Sequence, residues 1–305
     1  MAIKQKEDYM KLKIGFIGLG HMGLPMALNL CKAGYPVYVH STSRQSSSCI
    51  LEAGGNEIAS FAEMARTLDV VITIVPADRE IMDLYLGEDG ILEHAHEGLI
   101  CIDMTSAMGE TKRKVLQHIS RSGRQIGFAD APVSGGVTGA QNGTLTIMAG
   151  CQSELLEAIR PVLSAMGKKI VYCGDVGSGS DIKMINQMLN AANTAIAAET
   201  VCLAKRLGLD LQTLCDVVND SSGGSYIFKN NVPKYFLTGD HTPGFRLDLM
   251  KKDIGLYRET AEREQAFSPL SAMVYELYKA VSNQGGGERN YTYIVKWMEE
   301  NQRSK

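Results

Sequence analysis

Hydrophobic positions fall into two regimes along this chain. Through about residue 174, short apolar runs at 14–17, 36–40, 70–75, 99–103, 127–130, 145–149 and 169–173 alternate with stretches whose apolar residues recur at helical spacing. Near-continuous apolar strands separated by helices predict an α/β fold, with a doubly wound, mainly parallel sheet covered on both faces. From about residue 180 the pattern is helical to the end, with no strand signal. The stretch Gly174-Asp175-Val176-Gly177-Ser178-Gly179 reads as the loop between the regimes. The expected organisation is a flexible lead-in over 1–11, an α/β domain over 12–176 and an all-helical domain over 177–305.

The first apolar run, Ile14-Gly15-Phe16-Ile17, breaks into Gly18-Leu19-Gly20-His21-Met22-Gly23, a Gly-x-Gly-x-x-Gly turn. A helix follows, with Pro25 in its first turn, Met26, Ala27, Leu30 and Cys31 at helical spacing and Gly34 as its stop. In that context Gly18 permits the tight turn out of the strand, Gly20 lets the backbone approach a pyrophosphate, and Gly23 lets the helix pack closely on the sheet. The pyrophosphate would rest on the helix N-terminus beside His21 and Met22, where free N–H groups favour negative charge. The strand and helix on either side are what separate this reading from an ordinary glycine-rich turn in a chain with 31 glycines. The turn predicts a Rossmann-type dinucleotide domain.

Cofactor preference is written at the end of the second strand. Sites selective for NAD place Asp or Glu there, about 20 residues after the glycines, to hold the ribose 2′-OH. Here the chain offers Ser41, Thr42, Ser43 and Arg44. Hydroxyls and a guanidinium stand where a carboxylate would repel a 2′-phosphate, so the reading favours NADP (NADPH), with NAD as the alternative and a solvent-exposed Ser/Thr loop as the bland one.

Composition narrows the classes. The 305 residues carry 45% hydrophobic and 21% charged residues and a net charge of −3, which argues against a nucleic-acid or anionic-membrane surface. No apolar run approaches the roughly 18 residues needed to span a bilayer, and residues 1–13 are too polar for a signal peptide. The seven cysteines form no C-x-x-C pair and lie in apolar segments, as reduced, mostly buried thiols of a cytoplasmic protein would.

Two further segments carry chemistry. From Asp181 a helix that is apolar nearly all round bears one polar stripe, Lys183, Gln187, Asn190 and Thr194, with Asn186 beside it. Such a stripe predicts a buried helix facing a cleft. A lysine there either pairs with a buried carboxylate or moves protons, because burial lowers an ammonium pKa toward the useful range, unless its stem packs and its head simply reaches water. The segment Asp130-Ala131-Pro132-Val133-Ser134-Gly135-Gly136 is a strand end followed by a hydroxyl and two glycines. Successive unobstructed N–H groups can form an anion-binding concavity suited to a small carboxylate, although the same residues could form a turn joining two strands.

Taken in order, these motifs resemble those of the β-hydroxyacid dehydrogenase family, which includes 3-hydroxyisobutyrate dehydrogenases, tartronate semialdehyde reductases and glyoxylate/succinic semialdehyde reductases. The likeness runs from Ile14 to about Trp297 and is carried by the glycine turn, by Asp130 to Gly136, by Gly179-Ser180-Asp181-Ile182-Lys183-Met184-Ile185-Asn186-Gln187, and by Phe245 with Lys251-Lys252-Asp253. The resemblance implies an NAD(P)-dependent oxidoreductase acting on CH–OH groups, a helical C-terminal domain like that of 6-phosphogluconate dehydrogenase, and no metal. It makes Lys183 the catalytic lysine and Ser134, Gly135 and Gly136 the segment holding the substrate carboxylate. It places Asn186 and Gln187 against substrate, Val75, Pro76, Thr105 and Phe245 against the cofactor, and Lys252 near the nicotinamide with Asp253 supporting it. The Asn186-Gln187 pair is similar to that of tartronate semialdehyde reductases, where many other members carry a second asparagine. The family also implies a homodimer or homotetramer. Relatives that reduce imines typically lack the lysine, and a nucleotide-sensing or scaffold protein would be expected to have lost it.

Overall fold

The structure, a computed structural model, describes residues 12–40, 44–242 and 244–301. The described residues fall into two compact units, the first ending at Lys183 and the second beginning at Met184.

In the first unit the chain runs β1 (Ile14–Ile17), α1 (Gly23–Lys32), β2 (Val37–Val39), α2 (Arg44–Glu52), β3 (Asn56–Glu57), α3 (Phe61–Thr67), β4 (Val70–Thr73), α4 (Asp78–Leu86) and α5 (Ile91–His94). It continues as β5 (Ile100–Asp103), α6 (Gly109–Ser122), β6 (Gly127–Asp130), β7 (Val133–Ser134), α7 (Gly136–Asn142), β8 (Leu145–Gly150), α8 (Ser153–Ser164) and β9 (Gly167–Gly174). The nine strands form one sheet in the order β3-β2-β1-β4-β5-β6-β8-β7, with β9 on β8. All pairs from β3 to β6 are parallel. Their order reverses between β1 and β4, the place where open α/β sheets bind ligands at their carboxyl ends. Every residue of β1 and β4 is buried, as strands covered on both faces require.

Beyond β6 the sheet departs from pure parallel pairing. β8 runs antiparallel to both β6 and β7, and only β9 restores a parallel pair. The two-residue strands β3 and β7 are too short to leave a periodic signal, and β7 includes Ser134.

The second unit holds most of α9 (Ser178–Arg206), then α10 (Leu211–Asn219), a π-helical stretch Ile227–Phe236 that contains Pro233, α11 (Leu247–Arg263), α12 (Pro269–Val281) and α13 (Ile294–Glu300). Ala198 and Val201 of α9, Leu247, Met250 and Ile254 of α11, Tyr278 and Val281 of α12 and Ile294 of α13 form its core. Its described residues contain no strand, only an isolated antiparallel bridge between Arg246 and Asn290.

α9 begins earlier than its sequence suggests. Ser178 and Gly179, expected in the connecting loop, are already helical. The turn into the helix is made at Gly177, with φ +97°. At about 1.5 Å per residue the 29 residues span about 43 Å. Among the described residues no helix is long and apolar enough to cross a membrane.

Candidate active site

The glycine turn has the geometry its sequence implies. Gly18 has φ +98°, and a Cβ there would fall 2.0 Å from the Ile74 carbonyl oxygen. A Cβ on Gly23 would fall 1.8 Å from the Gly18 oxygen, so α1 starts pressed against the turn. Gly20, between them, is exposed and would meet nothing within 4 Å. Only the middle glycine faces open space, as a backbone that must admit a pyrophosphate should. Helix α1 has no side-chain cap and no acidic residue in its first turn, which leaves its N–H groups for an anion. His21 is exposed and Met22 precedes the helix. These residues fit a bound dinucleotide.

Beside this turn, at the end of β4, the Val75 N–H donates to the Thr105 hydroxyl at 3.0 Å, which joins two of the positions expected to line the cofactor. Thr105 is itself held from below. Its N–H donates to Asp103 Oδ1 at 2.8 Å, and Lys112 Nζ donates to the same oxygen at 2.6 Å and to the Thr105 carbonyl at 3.3 Å. Asp103 and Lys112 are fully buried, and Asp103 Oδ2 has no partner. Ser41 and Thr42 lie outside the described residues, as does the side chain of Arg44, which opens α2.

The Asp130 to Gly136 segment leaves the sheet from β6. Ser134 pairs with Thr146 in β7, and the exposed Gly135 and Gly136 follow with φ of +135° and +62°. Left-handed backbone at both glycines is a conformation L side chains rarely take. Val133 and Ser134 form a short strand, and Gly135 and Gly136 lead into α7 instead of forming a turn that joins two strands. Asp130, at its root, is buried, and burial raises its carboxyl pKa against the opposing pull of Lys112 and Ser180.

On α9, Lys183 is buried, at 6% exposure. Ser180, one turn before it, hydrogen-bonds the buried Asp130, and Gln187, one turn after it, donates to the buried Asp253 at 2.7 Å. Gln187 also accepts from the exposed Asn186 at 3.4 Å. Lys252 Nζ lies 3.0 Å from Asp253 Oδ1 in an ion pair that lacks hydrogen-bond geometry. Farther along, the stripe departs from expectation. The buried Thr194 donates its hydroxyl back to the Asn190 carbonyl at 2.8 Å, the Tyr278 hydroxyl donates to the Ala191 carbonyl at 3.4 Å, and Asn231 donates to the Tyr291 phenol at 2.7 Å. Burial pushes Tyr291 up to about 12 and Tyr278 well above the usual tyrosine value. Thr194 thus spends its hydroxyl on its own helix, while the two phenols, which need partners when removed from water, find them at the Ala191 carbonyl and Asn231. Phe245 stacks edge-on against Tyr291, with ring centroids 5.9 Å apart.

Residues 13–174 match the family model for the NAD-binding domain of 6-phosphogluconate dehydrogenase, and residues 177–298 match that for the NAD-binding domain of NADP-dependent 3-hydroxyisobutyrate dehydrogenase. The chain is 34% identical to 2-(hydroxymethyl)glutarate dehydrogenase of Eubacterium barkeri over 95% of each chain. It is 34% identical to an NAD-dependent L-serine dehydrogenase of Pseudomonas aeruginosa, over 95% of this chain and 99% of that one. It belongs to the β-hydroxyacid dehydrogenase family. The structure of Mycobacterium tuberculosis 3-hydroxyisobutyrate dehydrogenase with L-serine superposes with a TM-score of 0.86 at 32% identity, covering 94% of this chain and 99% of that chain. As a β-hydroxyacid dehydrogenase the protein is an NAD(P)-dependent oxidoreductase of the Rossmann type with a helical second domain.

Two features of this β-hydroxyacid dehydrogenase escaped its sequence motifs. Lys112 shares one helical face with the buried Val115 and Ile119, and a lysine in an apolar i, i+3, i+7 pattern was the available signal. The Asp130 carboxylate reaches about 50 residues along the chain to Ser180, and nothing local in sequence announces such a bond. Cysteine chemistry finds no support. Cys101, Cys151, Cys202 and Cys215 are buried, and burial raises the Cys151 thiol to about 11 and lifts Cys101 further, which leaves these two thiols protonated near neutral pH.

Proposed function

We propose that this β-hydroxyacid dehydrogenase reversibly reduces a small aldehyde acid to its 3-hydroxy acid, with NADP as the favoured cofactor, NAD as the alternative, and Lys183 as the proton donor. One observation carries the reading: Lys183 is buried on α9 between two side chains, Ser180 and Gln187, that are each bonded to a buried aspartate. The nicotinamide, when bound, supplies or accepts the hydride. The chain's own work is to hold the pyrophosphate at Gly18, Gly20 and Gly23, to form the wall at Val75, Pro76 and Thr105, and to receive the substrate carboxylate at Ser134, Gly135 and Gly136. Lys183 gives a proton to the carbonyl oxygen in reduction and takes it back in oxidation, help of a kind worth roughly 100 to 10,000-fold. Lys252, paired with Asp253, and Phe245 are the cofactor residues that the second unit contributes to this reading.

Tartronate semialdehyde is the first substrate to test, on the Asn186-Gln187 pair. The engagement of Gln187 with Asp253 weakens that argument. 3-Hydroxyisobutyrate, glyoxylate and succinic semialdehyde therefore belong in the same panel, joined by L-serine and 2-(hydroxymethyl)glutarate, which relatives are named for. The protein works in the cytoplasm. It assembles as a homodimer or homotetramer, a reading supported by α9, where Ile182, Leu189, Ile196 and Leu203 recur every seven residues and are 44–60% exposed.

The test follows the nicotinamide absorbance band with that panel, using the natural chain and Lys183→Ala. Turnover with one of these acids, lost in the variant while nucleotide binding persists, supports the reading. Near-normal turnover of the variant overturns the role of Lys183. Silence with every acid and either nucleotide would favour a nucleotide-sensing or scaffold role.

A further inference from the structure

We infer that Asp130 is a positioning residue, which fixes Lys183 relative to the segment that begins at Ser134 by gripping the start of α9. The inference rests on the reading of Lys183 as proton donor. Asp130 is the last residue of β6 and is fully buried. One carboxylate oxygen accepts from the N–H groups of Gly177 at 3.1 Å and Ser180 at 2.9 Å, and the other accepts the Ser180 hydroxyl at 2.6 Å. The first N–H groups of any helix have no partner within it. Here a strand end supplies that partner in place of a local cap. From the same residue the main chain passes through Ala131 and Pro132 to Val133 and Ser134. A single side chain thus joins the origin of the proposed carboxylate-binding turn to the origin of the helix on which Lys183 stands, three residues beyond Ser180.

Two glycines make the joint rigid. A Cβ on Gly179 would fall 2.3 Å from the Met148 carbonyl oxygen and 3.1 Å from Asp130 Oδ2. A Cβ on Gly150, the residue paired with Asp130 in the sheet, would fall 2.7 Å from the Asp175 oxygen and 3.0 Å from the Gly179 nitrogen. Strand ends and helix start touch backbone to backbone, so α9 cannot slide along the sheet without breaking the three bonds to Asp130. Arg113 also pairs with Asp181 at 2.9 Å, which holds the first turn of α9 to α6.

The test separates holding the lysine from holding the fold. Asp130→Ala leaves three donors unpaired and risks misfolding, so the decisive variant is Ser180→Ala, which removes one bond. It should lower kcat about tenfold, as small displacements of reacting groups do, while the NADPH dissociation constant changes less than roughly twofold. In a Lys183→Ala background, read at high enzyme concentration, the same substitution should change kcat less than roughly twofold, because its effect passes through the absent ammonium. An equal loss in both backgrounds, or an unchanged kcat in the single variant, overturns the inference and leaves the role of Lys183 standing. Near-normal turnover of Lys183→Ala alone removes both.

Discussion

Gln187 donates its amide to the Asp253 carboxylate at 2.7 Å, with both side chains buried. The bond explains why a polar residue is tolerated on the inner face of α9, and it identifies Asp253 as more than a neighbour of Lys252. Replacing Gln187 by Leu keeps the bulk and removes the donor, leaving a buried carboxylate oxygen unpaired. The expected loss is about 1–3 kcal/mol of stability, read from urea denaturation midpoints. An unchanged midpoint would show that the bond contributes nothing net.

The buried pair of Asp103 and Lys112 should be far less forgiving. Breaking such a pair from one side strands a charge, at a cost of about 3–5 kcal/mol. Lys112→Met is expected to lose that much in chemical denaturation, and adding Asp103→Asn should recover part of it. Because Asp103 and Lys112 together hold Thr105, weaker nucleotide binding should accompany the loss.

The glycine turn allows a contrast between two neighbouring residues. Gly20→Ala meets no atom within 4 Å, so its melting temperature should stay within a degree or two while nucleotide affinity falls, by roughly tenfold or more, as the methyl enters the pyrophosphate's place. Gly18→Ala should lower the melting temperature itself, since its Cβ would lie 2.0 Å from a carbonyl oxygen and its φ is +98°. Equal affinities for the natural chain and Gly20→Ala, by fluorescence titration with NADPH, would remove the turn from the binding site.

His241 gives the helical unit a dependence on pH. Desolvation first, and then the charge of Lys296, hold its pKa below the ordinary value of about 6.5. The folded protein therefore binds this proton less readily than the unfolded chain. Its contribution is intact above about pH 6.5 and is lost as the pH falls through the depressed folded value. Denaturation midpoints measured from about pH 7.5 down to about pH 5.5 should decline less steeply in His241→Asn, which keeps a polar group near Thr292; identical slopes would exclude His241 as the cause.

The exposed seven-residue repeat on α9 makes the assembly testable. Leu189→Glu combined with Ile196→Glu places charge on two successive repeats of the stripe. Sedimentation velocity should show the natural chain as a dimer or tetramer and the double variant shifted toward monomer. A monomeric natural chain would leave the stripe without this role.

Strong periodic signals in the sequence survive as elements: the seven apolar runs are all strands, and the glycine turn has the conformations its spacing implies. Short or distant features do not show in that way. β3 and β7 are two residues long, and the antiparallel pairing of β8 depends on where its neighbours end. The stripe on α9 was legible as buried polarity, yet spacing alone could not separate Gln187, which meets a carboxylate, from Thr194, which bonds the Asn190 carbonyl of its own helix. Asp253 lies 66 residues from Gln187 in the chain, and only folding brings them together.

Three successive turns of α9 each seat against a different partner: Gln187 against Asp253, the Ala191 carbonyl against the Tyr278 hydroxyl and the buried Ala195 against the apolar core of the helical unit. One residue inserted between two of these turns would rotate everything downstream by about 100° and unseat each later pair at once. The helix can change identity on its outer face far more freely than it can change length. Its phase is a property of the protein in its own right, and a deletion or insertion there is expected to be more damaging than any single substitution along it.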